Sequence, residues 1–209
     1  MGKNKWWILS AIVILAAVLR LAGLDKYPAG FTPDEAAFGY NAYSLFKTGQ
    51  DEWGTPFWQL LFTNLRSFGD YKMPLYAFLA VPSVAFFGLN EFSVRLPNAI
   101  LAILAVVVIY LFGRKLTGNK VAAQIAALML AISPWHIPLS RGAFEANLIT
   151  FFLPLGIYLY LKNKYQLSVI IFSLSLYSYH SSRIIAPLAL IGLFIIFKPD
   201  YSQPIDPCY

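Results

Sequence analysis

The chain has 209 residues, is 58% hydrophobic and only 12% charged, and has a mean hydropathy of +0.61. Soluble domains carry about a quarter charged residues, so this composition excludes an ordinary soluble globule and points to an integral membrane protein. The net charge of +6 does not mark a nucleic-acid binder, because the cations fall in short loops between apolar stretches and form no basic patch; the single cysteine, Cys208, excludes an internal disulfide and a cysteine metal site.

Residues 6–24 form the first predicted span. Lys3 and Lys5 precede it and hold the N-terminus in the cytoplasm. No small-residue cleavage motif follows, and residues 24–28 read as a retained helix end, so the span is expected to be an uncleaved anchor. Arg20 lies inside this span near its far end. It either snorkels to the interface or faces a polar pocket.

A long polar segment follows. Thr32 suits an N-cap and Pro33 a first helical residue, which puts Asp34 and Glu35 in a first turn where the helix dipole favours negative charge. Helical periodicity over 34–46 makes Ala37, Tyr40, Ala42 and Leu45 available to one face, and Gly49 is the expected stop. Residues 51–70 are polar and aromatic, with Trp53 and Trp58 suited to headgroup level.

The apolar stretch 73–89 is long enough to be taken for a span, yet Pro82 sits near its middle. Loop charge decides its placement. If it spans, Arg114, Lys115, Lys120, Lys162 and Lys164 fall outside. If it lies along the membrane surface, the spans are 6–24, 95–112, 121–137, 147–161, 167–179 and 184–197. Those five cations then join Lys3, Lys5 and Lys198 in the cytoplasm, while Asp25, Asp34, Glu35, Asp51, Glu52, Asp70, Glu91 and Glu145 all lie outside. Lys and Arg in short loops set orientation, so the second topology is expected, with an interfacial or re-entrant helix over 73–89. Span 167–179 is short and is expected to extend by a turn at one or both ends. The fold class is therefore all-α: a polytopic membrane protein with six transmembrane helices, both termini inside, and juxtamembrane helices in a first outer loop over 25–94. Residues 1–197 make one transmembrane region, and the polar tail 198–209 reads as the start of a loop in a longer protein.

This topology gathers Asp34, Glu35, Asp70, Lys72, Arg95, His136, Arg141, Glu145, His180 and Arg183 on the outer boundary. Charged groups converging on one membrane face are a site hypothesis by default. Cations beside carboxylates suit an anionic, lipid-attached substrate and an acid–base step.

The ordered motifs resemble the GT-C glycosyltransferases, in the group that contains protein O-mannosyltransferases and aminoarabinose lipid A transferases. The series is Leu19-Arg20-Leu21; Pro33-Asp34-Glu35-Ala36; Asp70-Tyr71-Lys72-Met73-Pro74-Leu75-Tyr76; residues 87–97, ending Val94-Arg95-Leu96-Pro97; residues 113–118; Ser133-Pro134-Trp135-His136; and Ser140-Arg141-Gly142-Ala143-Phe144-Glu145. The chain is similar to the N-terminal part of such enzymes. It departs by carrying Glu145 where the family usually has Asp, and Lys72-Met73 where a histidine precedes the proline segment.

The resemblance implies transfer of a sugar from a polyprenyl-phosphate donor to a hydroxyl acceptor on protein, lipid or glycan, at the outer face. It implies that Asp34, with Glu35 beside it, takes the acceptor proton; from local sequence alone the pair reads first as a helix cap, and the ordered motif series reverses that order. Lys72, Arg95 and Arg141 are candidates for the donor phosphate, against snorkelling or anchoring roles. Glu145, His180 and Arg183 complete the candidate substrate-binding set, although Glu145 also has helical spacing to pair with Arg141. A divalent metal is possible, but no close ligand spacing supports one. The alternative is a non-catalytic scaffold or transporter subunit whose outer charges bind an anionic lipid or a partner. Continuation past Tyr209 into further spans would favour the enzyme.

The topology makes a direct prediction. In a Cys208→Ser background, an impermeant maleimide added outside should label Ala85→Cys and leave Gly118→Cys untouched. Labelling at 118 would overturn the orientation.

Overall fold

A computed structural model describes residues 6–197, so Lys3, Lys5, Cys208 and the tail over 198–209 lie outside the described residues. Helix α1 spans Trp6–Leu21 and α2 Pro33–Thr48. A single turn, α3 (Phe57–Leu60), leads to the hairpin β1 (Leu65–Ser67) and β2 (Asp70–Lys72). Helices α4 (Leu75–Phe87), α5 (Glu91–Thr117), α6 (Lys120–Ala131) and α7 (His136–Arg141) follow. A 3-10 turn over Glu145–Leu148 opens into α8 (Ile149–Leu161), then α9 (Tyr165–Leu176) and α10 (Ser182–Ile196).

Helix α5 is the spine. It is the one described helix long and apolar enough, by length and composition, to cross a membrane; the described residues also hold six shorter apolar helical segments. One buried cluster joins α2, α4, α5 and α8 through Phe38, Tyr76, Val94 and Phe152. A second joins α1, α5 and α6 through Ile12, Ala16, Val106 and Tyr110. A third joins α8, α9 and α10 through Tyr160, Phe172 and Leu193. Ala123, Ala127 and Ala131 are fully buried and recur every fourth residue on α6, which lets α6 lie close against α5.

Helix ends follow the local sequence. Thr32 caps α2 in a reciprocal capping box with Glu35, Pro33 is its first residue, and Gly49 ends it in the left-handed conformation. Asn90 and Ser93 form the same box at α5. Pro97 inside α5 supplies no N–H to the carbonyl of Ser93, and Ser83 Oγ of α4 donates to that oxygen instead at 2.6 Å. Tyr76 Oη donates to the Val94 carbonyl at 2.9 Å, so two side chains of α4 tie it to the start of α5.

Several expectations are corrected. The stretch 121–137 is not one helix: α6 stops at Ala131, before Pro134, and α7 starts at His136. Helix α9 gains two residues at its start relative to 167–179 but stops at Leu176. Tyr40 is half exposed, and Phe38 and Asn41 replace it on the buried face of α2. The loop also holds a two-stranded hairpin that the all-α reading lacked. Its strands are three residues each, too short to show alternation, and the turn residues Phe68 and Gly69 both have positive φ, the signature of a two-residue turn with matched twist.

Gly39 of α2 lies hard against Val94 of α5. A Cβ there would lie 2.7 Å from a methyl of fully buried Val94 and 3.1 Å from Leu89. Gly39→Ala should therefore lower stability by ~1–3 kcal/mol in detergent unfolding through overpacking. Gly192→Ala, where a Cβ meets nothing within 4 Å, should not.

Candidate active site

The first turn of α2 presents two carboxylates about 100° apart around the helix, and they end in different surroundings. Glu35 points inward and is fully buried. Its Oε1 accepts from Arg95 Nε at 2.6 Å and from the Ala143 N–H at 3.1 Å; its Oε2 accepts from Arg95 Nη2 at 3.1 Å and from the Thr32 N–H at 2.9 Å. Burial alone would raise its pKa, but hydrogen bonds from Arg95, Thr32 and Ala143 together hold it below the usual carboxylate range. Arg95, also fully buried, gives its other N–H groups to the carbonyls of Leu24, Pro28 and Gly30. Its five N–H bonds are all used, so this geometry leaves none for a phosphate.

Asp34 points outward, and its side chain is half exposed. Lys72 Nζ lies 2.5 Å from its Oδ1 and 3.1 Å from Asp70 Oδ2, with the ammonium itself nearly buried. Burial pulls the Lys72 pKa down, and the hydrogen bonds to Asp34 and Asp70 more than offset it, so the net shift is upward. Lys72 sits on β2 directly before the Met73-Pro74 start of α4, so the hairpin is what carries the cation to α2.

Asp34 and Lys72 open onto a cleft of about 170 Å³ lined also by Phe38, Ala143, Phe144, Glu145, Ala146 and Tyr179. Phe38 lies one turn after Asp34 on the same helix face, a spacing that would have found it. Phe144 has no such signal. Glu145 Oε2 accepts from the Met73 N–H at 3.2 Å. Burial pushes the Glu145 carboxyl up to about 7; the Met73 N–H and Lys72 oppose the rise, and Asp34 and Asp70 add to it. A neighbouring groove of about 320 Å³ is lined by Phe62, Thr63, Met73, Leu176, Tyr177, Arg183 and Pro187.

Other sequence candidates do different jobs. Arg141 Nη1 donates to the carbonyl of Leu19 at 2.9 Å, and Nη2 donates to those of Ala22, Gly23 and Tyr27 at 2.8–3.1 Å, so Arg141 caps the end of α1. It does not pair with Glu145, because Gly142 has extended backbone and breaks the helix between them. His180 Nε2 donates to the Tyr71 carbonyl at 2.8 Å, and Arg183 donates to Asn64 Oδ1 at 3.0 Å; both brace the loop from the α9–α10 side. Among the described residues no three His, Cys, Asp or Glu side chains group as a metal site.

Arg20 turns inward, not to the surface. It donates to the carbonyls of Ala16, Leu130 and Ala131 and to His136 Nδ1 at 2.8 Å. A guanidinium only donates, so Nδ1 accepts and His136 donates from Nε2 to Thr150 Oγ1, 3.1 Å away. Thr150 donates to the Asn147 carbonyl, Asn147 to Asn98 Oδ1, and Asn98 to the carbonyls of Leu139 and Gly142. This chain of bonds fixes the segment that presents Ala143 and Glu145.

The buried pair predicts an asymmetry. Arg95→Leu should cost ~3–5 kcal/mol, because it strands the Glu35 charge. Adding Glu35→Leu should recover part of that loss; a double variant no more stable than Arg95→Leu would refute the brace. With its folded pKa lowered, Glu35 stabilises above its unfolded pKa, and that stability should fade as pH falls through the lowered value.

The residues 10–178 match the family model described as dolichyl-phosphate-mannose-protein mannosyltransferase. An uncharacterized protein of Aquifex aeolicus (strain VF5) is 25% identical over 182 residues, covering 82% of this chain and 34% of its own length. The apo crystal structure of the Archaeoglobus fulgidus oligosaccharyltransferase superposes with a TM-score of 0.67 at 21% identity, over 93% of this chain and 26% of that one. The chain thus spans about a third or less of the proteins it matches. It belongs to the dolichyl-phosphate-mannose-protein mannosyltransferase family and has the GT-C fold.

Proposed function

We propose that this chain carries the donor-side active site of a membrane glycosyltransferase that moves a sugar from a polyprenyl phosphate to a hydroxyl acceptor. The observation that carries the reading is the Asp34–Lys72 pair at the mouth of the cleft. Family membership supports the reaction class, and the lipid-linked donor in the family's description supports the donor class.

In this reading Asp34 takes the acceptor proton as the hydroxyl attacks the anomeric carbon. Lys72, held against Asp34, meets the donor phosphate and stabilises the charge that grows on it. The adjoining groove around Phe62 and Leu176 receives the start of the prenyl tail, with Arg183 at its wall. Glu35, Arg95 and Arg141 hold the loop in shape and do not touch substrate. The six-span topology is retained as part of the proposal. It puts the cleft on the outer side of an integral membrane protein, where the acceptor is a protein, lipid or glycan hydroxyl.

Asp34→Asn should lower turnover by about 10²–10⁴-fold while leaving the protein inserted and folded. Full activity in that variant would remove Asp34 from the role of base. Lys72→Met should raise the KM for donor as well as lower kcat.

A further inference from the structure

The two carboxyl groups that line the cleft have opposite surroundings. Asp34, on α2, is half exposed and has the Lys72 ammonium against it. Glu145 stands at the start of the 3-10 turn, partly buried. One neutral N–H, from Met73, reaches its Oε2. Among the described residues Oε1 has no hydrogen-bond partner, and no Lys, Arg or His nitrogen lies within salt-bridge distance of the group. The charges that face it are Asp34 from α2 and Asp70 and Lys72 from β2, two of the three negative, with the Tyr179 side chain also lining the cleft. Such a place favours the neutral acid, and the pKa of about 7 agrees. Two carboxyls of one site in such different surroundings suit a base and an acid.

We propose that Glu145 is the general acid of the transfer: it enters as a carboxylic acid and protonates the departing phosphate. The proposal rests on the glycosyl-transfer reading above. As the acceptor oxygen bonds to the anomeric carbon, its proton passes to Asp34. The bond from that carbon to the phosphate oxygen breaks, the electron pair stays on the oxygen, and the oxygen takes the proton of Glu145. The donor phosphodiester carries one negative charge, and the protonated monoester product carries one, so no charge is left over. Asp34 then holds a proton and Glu145 lacks one, and exchange with water in the open cleft restores both. A phosphate monoester has a second pKa of about 6, close to that of Glu145, which is where proton transfer is most effective. Glu145 in its acid form also adds no negative charge beside the anionic donor; ionised, it would repel it.

The test is made on the full-length chain in lipid vesicles. Infrared difference spectra should show a carboxylic-acid carbonyl band that fades as pH rises through about 7. The band should be absent from Glu145→Gln and present in Asp34→Asn. With farnesyl-phosphate mannose as probe and release of lipid phosphate as readout, wild-type kcat should fall as pH rises through about 7, because the acid must be protonated. Glu145→Gln should lose about 10²-fold in kcat and that falling limb together, while Glu145→Asp should keep the limb at a shifted pH. No Glu145-dependent band, or wild-type rate and limb in Glu145→Gln, would overturn the proposal. Full activity in Asp34→Asn with the Glu145 band and limb intact would instead remove the base and leave the acid standing.

Discussion

The fold of the long loop depends on the buried pair of Glu35 and Arg95. Four N–H groups converge on one carboxylate, and five acceptors satisfy one guanidinium. Neither charge sees water, so neither partner can be released without leaving the other stranded. The pair joins four separate pieces of chain: the turn after α1, the start of α2, the start of α5 and the peptide at Ala143. Helical geometry does the rest. With Glu35 locked inward, its neighbour Asp34 is carried around toward the cleft, and Ala143 brings Glu145 to the same cleft. The placement of Asp34 and Glu145 is thus a by-product of a structural ion pair one residue away from Asp34.

Two cation–carboxylate systems therefore sit side by side with different characters. The Glu35–Arg95 pair is dry, fully bonded and closed. The Asp34–Lys72–Asp70 system is partly wet and keeps oxygens open to the cleft. In water-exposed surroundings an ion pair adds little stability. What it does is hold a carboxylate and a cation together on the wall of the cleft.

This division was only half legible in the sequence. Thr32, Pro33 and Gly49 carry strong local signals, because caps depend on the residue itself and its near neighbours, and α2 begins and ends where they say. That Lys72 and Asp34 share a place was readable from loop charge and motif order. Burial was not. Arg95 and Arg141 look from sequence like cations at helix ends, which suits a phosphate contact as well as a carbonyl contact. Only the fold supplies the carbonyls of Leu24, Pro28 and Gly30 to one and of Leu19, Ala22, Gly23 and Tyr27 to the other. The hairpin escaped because three-residue strands carry no period. Arg20 stayed ambiguous because its acceptors, at Leu130 and Ala131, are more than a hundred residues away.

The break between α6 and α7 follows from the same bonds. Where α6 stops, the carbonyls of Leu130 and Ala131 lose their helical partners, and Arg20 takes them while also holding His136 just beyond the break. Surface connections ordinarily drift in length between relatives. This one is a gauge. A single added residue between Ala131 and His136 would displace His136 from the Arg20 guanidinium that holds both sides of the break. It would also pull the Gly142 carbonyl from Asn98 and the Ala143 N–H from Glu35. The spacing of those few residues is thus under the same constraint as the residues themselves.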